Sequence, residues 1–126
     1  MSSMDETRLR VMREVTDAFD RHDLDAIMEH FTDDCVFEGP RGAEAYGRRV
    51  VGREAVRAAF ADRFAGIPDV RYTDGSHFVA GDRGASEWLL TGTNSDGERI
   101  EVRGCDIWTF EGDKIRLKNS FWKIRT

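Results

Sequence analysis

The sequence predicts a single α+β domain, and three observations carry that prediction. Apolar residues recur at helical spacing in three segments that end by Gly66, whereas four β-favouring runs follow Asp69. The links between those runs are short and rich in Gly, Asp and Asn, which joins strands as antiparallel neighbours. With 126 residues, 40% of them hydrophobic, and no repeat or linker, one core is expected: residues 1–126 form one domain of helices packed on one face of a curved sheet.

Composition narrows the function classes. The net charge of -5 is spread over interspersed acids and bases, which argues against a nucleic-acid partner. Cys35 and Cys105 stand far apart, outside any metal-ligating group, and are expected to be reduced core thiols; no metal site is expected. No apolar run approaches the ~20 residues of a membrane span, so no membrane partner and a cytoplasmic location are expected.

Taken in order, Ser3 and Glu6 fit a capping box ahead of Leu9, Met12, Val15 and Phe19, a helix ending near His22. Asp23 can cap a second helix with Leu24, Ile27, Met28 and Phe31 on its buried stripe, closed by Thr32, Asp33 and Asp34. Cys35 to Glu38 reads as a short strand stopped by Gly39 and Pro40, and residues 43–51 as a loop or short edge strand. Val56, Ala59, Phe60 and Phe64 mark a third helix over residues 53–65, with Gly66 and Pro68 as its stop. Strand runs follow near residues 70–80, 85–93, 100–110 and 115–124.

Side-chain alternation tests the hairpins. A two-residue turn at Asp96 and Gly97 puts Glu87 opposite Asp106, and a loop from Asn94 to Gly97 puts it opposite Gly104. In both cases Glu87 and Asp106 share an interior face with Leu89, Val102, Trp108 and Phe110. The other face then carries Trp88, Leu90, Cys105 and Ile107 among Ser86, Glu101, Arg103 and Thr109, an apolar patch that a second copy of the chain is expected to cover. For the last hairpin, a two-residue loop at Gly112 and Asp113 turns Leu117, Asn119 and Phe121 inward. A three-residue loop, or an equivalent bulge, turns Lys118, Ser120 and Trp122 inward. The spacing leaves both open.

The segments DLDAIMEHFTDDCVFEGP (23–40), GREAV (52–56), EWLLTGT (87–93) and DIWTFEGDKI (106–115) give the whole chain a pattern that resembles the nuclear transport factor 2-like superfamily, within it the SnoaL-like polyketide-cyclase-like and steroid-isomerase-like proteins. The resemblance implies a cone-shaped α+β barrel, a mixed sheet and helices enclosing a pocket, with frequent dimerisation through the sheet's outer side. It favours the register with Lys118, Ser120 and Trp122 inward. Asp106 matches an aspartic acid that steroid isomerases keep protonated as an oxyanion donor. Gly39 stands where those enzymes carry their basic aspartate, Val15 near their phenolic donor, and Ser120 where cyclase-like relatives carry an acid.

The candidate site follows from these faces. Asp106, a carboxylate within a run of Ile, Trp and Phe, is either a general acid or base or a buried carboxylate satisfied by Lys118 or backbone donors. Glu87 pairs with it or forms an ion pair at the rim; Lys118 polarises a carbonyl or partners Asp106; His77 is a weaker proton shuttle. Ser120 is a hydrogen-bonding wall residue, and Trp122, Trp108, Phe60, Phe64, Phe37 and Tyr46 line the pocket or fill the core. The resulting expectation is an acid/base enzyme of isomerase, cyclase or dehydratase type, without metal or organic cofactor, acting on a small apolar carbonyl compound. The alternative is a non-catalytic small-molecule-binding or dimerisation module. For the enzyme, Asp106→Asn is expected to cost turnover with little loss of stability.

Overall fold

Two amphipathic helices, α1 (Ser3–Asp20) and α2 (Leu24–Met28), open the chain, followed by strands β1 (Phe31–Glu38) and β2 (Arg49–Val51) and helix α3 (Arg53–Gly66). Strands β3 (Arg71–Ala80), β4 (Arg83–Thr93), β5 (Arg99–Glu111) and β6 (Lys114–Trp122) complete it. This is a computed structural model, and it describes residues 2–126. One six-stranded sheet has the order β2-β1-β6-β5-β4-β3. Its neighbours are antiparallel except β1 and β6, which run parallel. The helices lie against the concave side, where Met12, Val15 and Phe19 of α1, Ile27 of α2 and Val56 and Phe60 of α3 share one core with Trp108 and Ile115 of the sheet. Among the described residues no helix is long and apolar enough to cross a membrane.

Local signals placed most boundaries. Ser2, rather than Ser3, caps α1, accepting from the Asp5 N–H at 3.0 Å in a capping box, and Asp23 caps α2 through the Ala26 N–H at 3.1 Å. Phe31 does not extend the α2 stripe. It starts β1, which is twice the expected length, because Phe31 lies beside Ile115 of β6, a partner far along the chain that local propensity cannot show.

The β4–β5 hairpin departs from both expected registers. The Asn94 N–H donates to the Glu98 carbonyl at 3.0 Å, leaving a three-residue loop, residues 95–97, with Gly97 at φ +80°. The Asn94 side-chain oxygen accepts from the N–H groups of Asp96 (3.0 Å) and Glu98 (2.9 Å), which fixes this turn. Asp106 therefore lies opposite Ser86, and Glu87 opposite Cys105. Both loop lengths considered from sequence were even, and the odd one reverses the two faces of β4. Ser86, Trp88 and Leu90 are interior, not exterior, while Glu87 is exposed on the convex side and Leu89 shares that face. The faces of β5 stand as expected, with Asp106, Trp108 and Phe110 buried. Cys35 is in the core, but Cys105 lies half-buried on the convex face and is not a core thiol.

In the last hairpin Glu111 pairs with Lys114 across a two-residue turn, and a bulge at Arg116 separates the Phe110–Ile115 pair from Thr109–Leu117. The bulge re-aims the rest of β6, so Lys118 and Ser120 are buried and Asn119 belongs to the opposite face.

Candidate functional site

Two adjacent strands, β5 and β6, bring Asp106, Lys118 and Ser120 together on the concave face. Asp106 pairs across the ladder with Ser86 on one side and Ser120 on the other, and Lys118 is next along β6 on the same face. Lys118 Nζ donates to Asp106 Oδ1 at 2.5 Å and to Ser120 Oγ at 2.9 Å. Ser120 Oγ donates to Asp106 Oδ1 at 2.5 Å, and Trp88 Nε1 donates to Asp106 Oδ2 at 2.9 Å. Three donors thus converge on one carboxylate, which acts as an acceptor.

The network is dry. Asp106 is 4%, Lys118 5% and Ser120 5% exposed. Burial lowers the proton affinity of the Lys118 ammonium below lysine's ordinary value, and the charge and hydrogen bond of Asp106 oppose it. The rings of Phe19, Trp108 and Phe37 lie 4.9, 5.3 and 5.4 Å from Lys118 Nζ, so part of its charge faces π-systems. Two of its three N–H groups have protein acceptors, and the third has none among the described residues.

Lys118 and Ser120 line a cavity of about 20 Å³, walled by Phe37, Phe60, Trp88 and Trp122 together with Phe19, Tyr72, Pro40 and Arg63. That volume suits a group the size of one water. Beyond it opens a cleft of about 300 Å³ between the residue 39–50 segment, α3 and the β4–β5 loop; Phe37, Pro40 and Arg63 line both spaces. Tyr72 stays a neutral phenol, since burial holds its hydroxyl well above the ordinary value.

Of the residues singled out from sequence, Asp106, Lys118, Ser120, Trp122, Phe37 and Phe60 meet here. Trp108 lies behind the cavity, its indole N–H donating to Ser86 Oγ at 2.9 Å. Glu87 is on the convex face and does not pair with Asp106, the consequence of the three-residue loop. His77 reaches Ser86 Oγ at 2.7 Å, and burial, with Arg13 adding to it, lowers its proton affinity; it does not line the cavity. Phe64 stacks on His22 at 4.3 Å instead of lining the cavity, and Tyr46 sits exposed beneath Arg49 at 3.7 Å. Sequence reasoning missed Trp88, the donor to Asp106, along with Tyr72 and Arg63. The signal for Trp88 was the alternation of Ser86, Trp88, Leu90 and Gly92, small or apolar at every second position. Among the described residues no three His, Cys, Asp or Glu side chains form a metal-binding group.

A six-stranded mixed sheet, three helices on its concave side and an ion pair buried at the bottom of a cleft define an α+β cone of the nuclear transport factor 2-like type. The chain belongs to the SnoaL-like domain family, whose pattern matches residues 12–117. Its fold is similar to that of a candidate polyketide cyclase from Xanthomonas campestris pv. campestris, at TM-score 0.85 and 16% identity over 96% of this chain and 93% of that one. A nuclear transport factor 2-like protein of unknown function from Mesorhizobium loti superposes at TM-score 0.81 with 28% identity, over 98% of this chain and 97% of that one. A candidate isomerase from Bacillus subtilis superposes at TM-score 0.80 with 17% identity, over 97% and 90%. No curated protein matches the sequence.

Proposed function

We propose that the protein is an acid/base enzyme of isomerase, cyclase or dehydratase type that activates the carbonyl group of a small, largely apolar compound. The observation that carries this reading is the third N–H of Lys118, without an acceptor among the described residues, on a side chain that walls a water-sized cavity at the base of a larger cleft. Such a cavity admits one carbonyl oxygen while the body of the ligand stays in the cleft, whose volume is at the lower end for small-molecule sites. A buried ammonium pre-oriented by Asp106 and Ser120 stabilises negative charge as it develops on that oxygen.

The chemistry balances as an enolisation. The α C–H bond breaks, its electron pair forms the C=C bond, and the carbonyl oxygen takes the charge under hydrogen bonding from Lys118. The proton passes to Asp62, the one carboxylate among the residues lining the cleft, or to water. Asp106 is the counter-ion that holds Lys118 in place, a different part from the protonated donor implied by resemblance, because its oxygens already accept from Lys118, Ser120 and Trp88.

Deuterium uptake at the α-carbon of β-tetralone, followed by proton NMR, tests this reading. Wild type should exceed the buffer rate and Lys118→Met should not; equal rates in wild type and buffer, or uptake preserved in the variant, would sink it. A second reading, a non-catalytic binding module, is favoured by the small inner cavity. Binding of β-tetralone without accelerated exchange would select it.

A further inference from the structure

We propose that the cleft recognises the carboxylate of a short oxo acid, held by Arg63 with Arg41 and Arg48 while its carbonyl oxygen enters the inner cavity. The inference rests on the carbonyl-activating reading of Lys118 for the second half of that pose. Its first half stands on the arginines alone.

Arg63 is the anomaly among the half-buried arginines. Arg8 donates to the carbonyls of Gly112 and Gly81 at 2.9 and 2.7 Å, Arg53 to that of Phe31 at 2.9 Å, and Arg57 pairs with Asp25 at 2.6 Å. Arg63, also half-buried, has neither a hydrogen bond nor an ion pair among the described residues. Partial burial strips some water from this charge with no anion in return, and an incoming anion offsets that cost. Its guanidinium carbon lies 4.5 Å from the centroid of the Trp122 ring, a cation–π contact that uses the face of the group and none of its N–H donors, which suit a planar, bidentate acceptor.

Arg41 and Arg48 line the same cleft and are likewise unpaired among the described residues, against a single lining carboxylate, Asp62. The cleft wall is therefore positive on a chain whose net charge is -5. Burial depresses the proton affinity of Arg63, and the charge of Arg41 adds a little to it. Arg63 lines the inner cavity together with Lys118, so the carboxylate and the activated carbonyl are separated by few bonds. A 2- to 4-oxo acid bearing an apolar group, with the number of intervening bonds on the order of one to three, meets both contacts.

Isothermal titration calorimetry with benzoylformate and its uncharged analogue benzoylformamide tests the site. Wild type should bind the acid about tenfold or more tightly than the amide, the effect expected of a charge-assisted pair. Arg63→Gln should erase that preference. Arg41→Gln, at an exposed position that folding tolerates, should reduce it severalfold. An acid bound no better than the amide by wild type, binding of neither probe, or a preference unchanged in both variants overturns the inference. Lys118→Met separates the two proposals: acid preference retained by that variant, with no β-tetralone exchange even in wild type, leaves the anion site standing and removes carbonyl activation.

Discussion

Asp106 and Lys118 are buried to nearly the same depth, so each exists as a charge only because the other does. This changes what Asp106→Asn should do. The sequence suggested lost turnover in a stable protein, but an asparagine would leave the Lys118 ammonium without a counter-ion and turn an amide N–H toward the Trp88 N–H or toward two other donors. Urea denaturation should show a loss of about 3–5 kcal/mol for the single variant, and recovery of most of it in Asp106→Asn with Lys118→Met, where no charge remains buried. A single variant as stable as wild type would contradict the pairing. The pH dependence has a definite sign. Lys118 binds its proton less tightly when folded than at the ordinary 10.5, so just below 10.5 the unfolded chain carries more protons than the folded one. The cost of burying the ammonium is complete below the folded value and is relieved as pH rises toward 10.5. Wild-type stability, measured relative to the neutral double variant, should therefore climb through that alkaline window; a flat or falling difference would show that Lys118 is not depressed.

At the scale of elements, the helices and their buried faces were legible in the sequence, although the cap of α1 is Ser2 rather than Ser3 and Phe31 opens β1 rather than extending α2. The amphipathic spacing of Leu9, Met12, Val15 and Phe19, and of Val56 and Phe60, gave the helices and their buried faces because helix periodicity needs only near neighbours in sequence. The concave face of β5 was legible for the same reason. The face of β4 depended on whether the connecting loop held an odd or even number of residues, and the side chain of Asn94 settled that through two backbone N–H groups. The even loop lengths put Trp88 and Leu90 on an exterior patch, whereas the alternation of Ser86, Trp88, Leu90 and Gly92, small or apolar at every second position, marks an interior face. Gly104 records how tightly that interior closes: a Cβ there would lie 2.5 Å from the Trp88 ring and 2.7 Å from the Phe121 carbonyl oxygen. Gly104→Ala should cost about 1–3 kcal/mol through overpacking and should displace the Trp88 indole from Asp106. Thermal melts and the intrinsic fluorescence of Trp88 in a variant lacking the other tryptophans would check both, and an unchanged melt would show that the sheet yields more easily than this geometry implies.

For the whole molecule, the corrected face of β4 alters which surface is left to explain. The convex side of the sheet now presents Phe78, 63% exposed, on β3 and Phe121, 51% exposed, on β6, with Leu89, Cys105 and Ile107 half-buried between them. Every described helix is on the other side, so among the described residues no helix or strand covers these side chains. The same face carries both signs of charge, Glu87 and Arg103, on adjacent strands, and a two-fold axis passing between these two residues would set each against its opposite in the second copy. We therefore propose a homodimer through this face, built on Phe78 and Phe121 rather than on Trp88. Sedimentation equilibrium at micromolar concentration should give a dimer for wild type and a monomer for Phe78→Glu with Phe121→Glu. Because neither side chain contributes to the concave site, the double variant should keep its benzoylformate affinity. A wild-type monomer at that concentration would remove the dimer proposal, and a variant that loses ligand binding along with dimerisation would mean that the convex face supports the cleft, which the separation of the two surfaces by the sheet argues against.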